Sequence, residues 1–217
     1  VIIVLLGPPG AGKGTQGELL AARLGIPKIA TGDLFRAAVH EGTPLGLEAK
    51  RFMDRGDLVP DSVILGILRE AVASPAAAGG AILDGAVRTV PQAEGLAETL
   101  TTIGRKVDAV LLFEANHTEL IQRLSSRTTC DTCQTPFKGL EPGTACPKND
   151  GGHLIRRKDD EPAAIQNRLN VYEDLTAPVI AWYDTHGIPV QRIDAIGDVT
   201  EVTARAAQAL ANVQRVG

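Results

Sequence analysis

Short, mostly apolar runs alternate along this chain with longer stretches whose apolar residues recur every three or four positions. The runs Ile2–Leu6, Lys28–Ala30, Ala81–Leu83, Ala109–Phe113 and Pro189–Ile193 each end at a turn signal. Runs with little polar alternation are the pattern of parallel strands covered on both faces. Helical patterns lie between them at Gln16–Leu24, Leu34–His40, Leu45–Arg55, Asp61–Ala73, Val90–Ile103, His117–Ser126, Ala163–His186 and Val199–Val213. The seventh should break near Ala177–Pro178, because proline withdraws a backbone donor from a helix. Strand–helix alternation predicts a doubly wound α/β fold, with ligands at the strands' C-terminal ends. Two stretches break the pattern. Thr31–Val59 packs several helical pieces between consecutive strands, and Arg127–Asp160 is polar, carries Gly, Pro and Cys, and has little helical period. Both read as excursions from the core, the second as a lid.

The first strand runs into Gly7-Pro8-Pro9-Gly10-Ala11-Gly12-Lys13-Gly14-Thr15-Gln16, and a helical stretch follows. Strand, glycine-rich loop and helix form a phosphate cradle. Glycines let successive backbone N–H groups turn inward around an anion, and the positive end of the next helix points at the same place. Lys13 adds a full charge for the outer phosphates of a nucleotide. The common pattern closes on Lys followed by Ser or Thr, whose hydroxyl holds Mg²⁺. Here Gly14 takes that place, so a metal must lean on water, phosphates and an acid from elsewhere.

Composition narrows the class. The 217 residues are 44% hydrophobic and 22% charged, with a net charge of −4, as in a globular protein with one good core and inserted subdomains. The acidic balance argues against general nucleic-acid or membrane-surface binding but permits a local basic cleft. No apolar run is long enough to span a bilayer, and the first six residues are too short for a signal-peptide core. Three cysteines make a disulfide framework improbable and favour a reducing, cytoplasmic setting.

Further chemistry follows the strand ends. Thr31 can cap a helix, and with Arg36 it can hold a second anion. Ala81-Ile82-Leu83-Asp84-Gly85 ends in a carboxylate able to hold Mg²⁺ through water beside the phosphate loop, supplying the acid that Gly14 leaves missing. Arg88 is placed to clamp a transferring phosphoryl group, and Gln92, one turn on, to read a base edge through its amide. Arg123 and Arg127 share a helical face, suited to stacking on a base and reaching its phosphates. Arg157 and Arg168 follow on separate segments. Arg123, Arg127, Arg156, Arg157 and Arg168, together with Lys13, in an acidic chain suggest convergence on polyphosphate. In the lid, Cys130-Asp131-Thr132-Cys133 is a strong zinc half-site. The second half offers Cys146, then Asp150 or His153. Structural zinc, bare thiols and a redox pair are the three readings.

In combination, Gly-Lys-Gly-Thr-Gln, Thr-Gly-Asp-Leu-Phe-Arg at 31–36, Gly-Asp-Leu-Val-Pro-Asp at 56–61, Arg-Lys-Asp-Asp at 157–160 and the cysteine lid resemble the adenylate kinases, long form with a zinc-type lid, in matching order over nearly the whole chain. The resemblance implies a five-stranded parallel P-loop core (1–29, 60–126 and 161–217), an AMP-binding arm (30–59) and a lid (127–160). It implies reversible phosphoryl transfer from MgATP to AMP by a cytoplasmic monomer, giving two ADP for adenine nucleotide homeostasis, with no nucleic-acid or membrane partner. Lys13, Asp84, Arg88, Arg127, Arg157 and Arg168 would be catalytic. ATP would meet Gly10, Ala11, Gly12, Lys13, Gly14, Thr15, Arg123, Arg127, Pro136, Phe137 and Gly197. AMP would meet Thr31, Arg36, Asp57, Leu58, Val59, Gly85, Ala86, Val87, Arg88, Gln92, Arg157 and Arg168. Zinc would be held by Cys130, Cys133, Cys146 and Asp150, with Asp159 and Asp160 at the lid hinge.

The chain departs from the family in three places. Ala86-Val87 stands where the family has Phe-Pro, which removes contact surface near the acceptor base and should loosen the turn. The Cys146-to-Asp150 gap is one residue longer, and the Cys133-to-Cys146 loop is shorter. A kinase for UMP, CMP or GMP would share the cradle, and a P-loop switch or zinc-dependent nucleic-acid module would bind without transferring; acceptor comparison in an ADP-release assay separates these.

Overall fold

A computed structural model of the chain describes residues 1–214. In chain order the strands are β1 (Ile2–Leu6), β2 (Lys28–Ala30), β3 (Ala81–Asp84), β4 (Ala109–Glu114), β5 (Arg127–Cys130), β6 (Pro136–Lys138), β7 (Leu154–Ile155) and β8 (Val190–Asp194). The helices are α1 (Lys13–Leu24), α2 (Thr31–His40), α3 (Pro44–Met53), α4 (Asp61–Ala73), α5 (Val90–Thr102), α6 (His117–Ser125), α7 (Pro162–Val171), α8 (Ala177–Thr185) and α9 (Val199–Gln214). Five strands form one sheet in the order β2-β3-β1-β4-β8, every pair parallel. Leu5 and Ala30 both lie in register with Asp84, which aligns the C-terminal ends of β1, β2 and β3.

The sheet divides the core as strand alternation requires. Ile2, Val4 and Leu6 face one layer with Leu68 and Val72 of α4, Leu96 and Leu100 of α5 and Tyr183 of α8. Ile3 and Leu5 face the other with Leu20 of α1, Leu120 and Leu124 of α6, Leu169 of α7 and Val202 and Ala206 of α9. Each fully buried Leu or Ile contributes about 2 kcal/mol, so the strand ends that carry the site are held rigidly. Where β1 leaves the sheet, Gly7 (φ 138°) passes so close to the Phe113 carbonyl that a Cβ would overlap it, and only glycine fits both demands.

Three expectations change. Thr31 is not a cap: α2 begins at Thr31 itself, Ala30 precedes it, and no side chain caps the helix. The Thr31 hydroxyl instead donates to the Gly85 carbonyl (2.8 Å). The helix predicted over 163–186 does not break at Ala177–Pro178 but widens earlier, into a π-turn at Tyr172–Thr176. Pro178 has no N–H for the carbonyl four residues back and its ring needs room there, and the wider turn absorbs both demands. Third, the polar stretch 127–160, expected only to lack helical period, holds an antiparallel sheet of order β6-β5-β7, built over a core of Cys130, Cys146, Leu154 and Phe137. No helix of the described residues is long and apolar enough to cross a membrane.

Candidate active site

The loop between β1 and α1 takes its shape from Gly10 (φ 86°) and Gly12 (φ 89°), both left-handed. Lys13 opens α1, and its ammonium folds across the loop to donate to the carbonyls of Gly7 (2.6 Å) and Pro8 (2.9 Å). Burial pushes Lys13 down to about 8; Asp84 opposes this, while Arg88, Arg168 and Arg127 add to it. Asp84 closes β3 beside the loop. A Cβ on Gly14 would come within 3.3 Å of its Oδ2, so the glycine in place of a hydroxyl residue leaves room for this carboxylate. Burial raises Asp84, against the pull of Lys13 and Lys28. Thr15 follows in the first turn of α1, half-buried.

Two clefts open at the strand ends. The first, about 550 Å³ counting the space open to solvent at its mouth, includes Thr31, Arg36, Val59 and Gln92 in its lining, with Asp57. The second, about 510 Å³, is lined by Gly7, Lys13, Gly85, Val87 and Tyr172 among others. Leu58, Arg88 and Arg168 belong to the walls of both. Ala86 lines neither cleft and lies fully buried in the apolar layer beneath the sheet. The turn from Gly85 to Arg88 is tied down by hydrogen bonds at both ends. The Gly85 carbonyl accepts from Thr31 and from Arg88 Nε (3.1 Å), the Arg88 N–H donates to Gln92 Oε1 (2.7 Å), and the Arg88 carbonyl accepts from the Thr176 hydroxyl (2.9 Å).

The remaining arginines gather around the acids of the lid's end. Arg127 donates to Asp160 through Nε (2.8 Å). Arg168 Nη1 pairs with Asp160 (3.2 Å) and Asp159 (2.9 Å). Burial raises Asp159, but Arg168, Arg127, Arg157 and Arg36 outweigh it and hold the carboxyl below the usual range. Arg157 is pushed down to about 9 by burial, with Arg36 and Arg127 adding to the effect. Burial also lowers Arg88, with Arg168 and Arg36 adding to the effect, and Arg168, with Arg127 and Arg36 adding to it against Asp159 and Asp160. Arg36 pairs with Asp33, yet its Nε, like Arg157 Nε, is buried without a partner among the described residues. Guanidinium donors crowded together and left unsatisfied are the electrostatic signature of an anion site.

On the other flank, Arg123 donates to Glu119 (2.7 Å) and to the Ala195 carbonyl (2.9 Å), under the loop that carries Gly197. Gly197 (φ 118°) precedes Asp198 and Glu201, whose reciprocal bonds start α9. Pro136 and Phe137 lie in β6 and line neither cleft; Phe137 packs on the lid's own core. Sequence reasoning passed over Asp61, Tyr172 and Thr176. Asp61 stands only as the first residue of the predicted helix 61–73, and Thr176 lies inside the predicted helix 163–186.

In the lid, the three sulfurs and a carboxylate oxygen of Asp150 lie within 4.8 Å of one another. Cys133 Sγ is 3.8 Å from Cys146 Sγ, and Cys130 Sγ is 3.3 Å from Asp150 Oδ2. Tetrahedral zinc with Zn–S of ~2.3 Å sets its donors about 3.8 Å apart, so the four residues fit such an ion. Thr132 and Cys133 aim backbone N–H groups at Cys130 Sγ (3.3 and 3.4 Å). Gln134 and Asn149, the non-glycine residues of positive φ among the described residues, sit at the two knuckles. Burial leads in pushing the Cys146 thiol up to about 12. The His153 side chain is outside the group, and its backbone N–H donates to Asp131 (2.9 Å).

A parallel sheet of this order, a glycine-rich loop with its lysine, and basic clefts sharing a wall define a P-loop phosphotransferase that handles nucleotides. The chain matches the sequence model of the adenylate kinases over residues 5–188. It is 64% identical over 211 residues to an adenylate kinase of Gemmatimonas aurantiaca, covering 97% of this chain and 99% of that one. Adenylate kinases of Syntrophobacter fumaroxidans (46% over 206 residues; 94% and 96%) and Salinispora tropica (46% over 212; 96% and 97%) are also similar. The chain belongs to the adenylate kinase family, whose reaction is phosphoryl transfer between ATP and AMP to give two ADP.

Proposed function

We propose that Lys13, Arg88 and Arg168, with Arg36, Arg127 and Arg157, carry reversible transfer of the ATP γ-phosphoryl group to AMP. The observation that carries this reading is the common wall: Arg88 and Arg168 line both clefts, with Lys13 on one side and Arg36 on the other. A phosphoryl group passing between the clefts would meet both guanidiniums in flight. The acceptor is already an anion, so alignment and charge neutralisation suffice without a strong base. The cleft of Thr31, Arg36, Val59 and Gln92 takes AMP, with Asp57 and Leu58 beside it. The loop from Gly10 to Thr15 takes the ATP phosphates, and the Arg123–Gly197 flank its base.

Asp84, beside Gly14 and Lys13, suits the Mg²⁺ that accompanies ATP and would hold it through water; when bound, the ion neutralises charge on the phosphates. The four lid donors suit structural zinc with no open position. Residues 1–29, 60–126 and 161–217 act as the core, 30–59 as the AMP arm and 127–160 as the lid. Closing both covers excludes water, which would otherwise take the phosphoryl group; adenylate kinase lids are themselves a standard case of such closure. The enzyme is read as cytoplasmic and monomeric. A coupled assay of ATP plus AMP should show Mg²⁺-dependent ADP formation. Lys13→Ala and Arg88→Ala should each cut turnover by at least about a hundredfold without lowering the melting temperature. Wild-type turnover in either variant refutes the assignment.

A further inference from the structure

Gln92 is 1% exposed and lines the first cleft, yet its amide is already half engaged. Its Nε2 donates to Asp61 Oδ1 (2.6 Å), and its Oε1 accepts from the Arg88 N–H (2.7 Å). The Thr89 hydroxyl also donates to Asp61 Oδ1 (3.2 Å), while accepting from the Gln92 N–H (3.2 Å). A carboxylate only accepts and a backbone N–H only donates. The orientation of the amide is therefore dictated chemically: turned over, it would set oxygen against carboxylate and N–H against N–H. A carboxamide has two N–H donors and two lone pairs. One of each is used internally, which leaves one donor and one acceptor, in fixed order, for whatever occupies the cleft.

From this we infer that Asp61 is a positioning residue that sets acceptor specificity, locking Gln92 so that the cleft selects a 6-aminopurine over a 6-oxopurine. The inference rests on the cleft being the AMP site. A 6-aminopurine offers an acceptor at N1 beside a donor at N6, which complements the locked amide. A 6-oxopurine offers the reverse, N1–H beside O6, and meets donor with donor and acceptor with acceptor. A free amide would turn over and accept either base, so an unassisted glutamine is a poor discriminator. Asp61 supplies the repulsive element that specificity needs.

Asp61→Asn preserves shape but presents either an oxygen or a nitrogen to Gln92, which removes the stronger of the two constraints and leaves only the Arg88 N–H to oppose turning of the amide. The ratio of kcat/KM for AMP to that for IMP should fall by about tenfold or more, chiefly through the acceptor KM, with the ATP KM unchanged. A folded Asp61→Asn enzyme whose ratio stays within about twofold of wild type overturns the role of Asp61 alone; a wild type inactive on AMP overturns the cleft assignment as well. A measurement on the unaltered enzyme covers the case in which the variant fails to fold. The Gln92 carboxamide should give one strongly downfield, exchange-protected proton by ¹⁵N-resolved NMR, and the other should move on addition of AMP. A carboxamide with free-glutamine shifts and exchange overturns the lock.

Discussion

Lys13 is the residue at which the chemistry and the stability of the fold oppose each other. Burial holds its ammonium near 8 in place of 10.5. The folded value is the lower one, so the charged lysine destabilises the native state at neutral pH, and that cost is relieved as pH rises from about 8 toward 10.5. Polyphosphate laid in the loop favours the charged form and restores the higher value. Near pH 8, where the free side chain is about half protonated, ATP binding should therefore take up as much as about half a proton. Calorimetry in buffers of different ionisation enthalpy measures it; no uptake at pH 8, or release, would place Lys13 away from the phosphates. Lys13 and Arg88 were legible in the sequence because they stand inside contiguous motifs. The roles of Asp61, although it closes the motif at 56–61, and of Thr176 were not, since the partners they act on lie 31 and 88 positions away and only the folded chain joins them.

At the scale of elements, the central strands were readable because burial on both faces leaves them nearly unbroken apolar runs. The lid was not, because strands as short as Pro136–Lys138 and Leu154–Ile155 give alternation no length in which to show. Its four donors were legible as residue types, but their convergence depends on left-handed turns at Gln134 and Asn149 that the sequence does not advertise. A lid whose core is Cys130, Cys146, Leu154 and Phe137 buries too little to order itself unaided. Protein purified without added zinc should thus carry about one zinc per chain. Removing it with a strong chelator should expose the amides of residues 127–160 to hydrogen exchange while those of β1, β3 and β4 stay protected. A metal-free preparation with the lid still protected would remove zinc from the account.

On the scale of the whole molecule, the two excursions proposed as covers meet on α7. The lid's Arg127 reaches Arg168 through the fully buried Asp160. One residue earlier, Asn167 Nδ2 donates to the Arg55 carbonyl (2.9 Å) and to Asp57 Oδ1 (2.8 Å) at the end of the arm. Between these, Gly56 (φ 79°) settles so closely that a Cβ would lie 2.7 Å from Arg168 Cγ and 2.9 Å from the Ala164 carbonyl. The arm's tail thus rests on the helix that carries Arg168, and Asn167 latches it there. Asn167→Asp replaces a donor with a second carboxylate facing Asp57. Partly exposed like charges at that range cost about 1 kcal/mol, which corresponds to roughly a fivefold shift between closed and open arm. Because the latch touches only the arm, the KM for AMP should rise about fivefold while the KM for ATP and the melting temperature hold, and added salt should shrink the effect. Should both KM values rise together, or neither move, the arm does not close through Asn167, and its contact with α7 is packing without control.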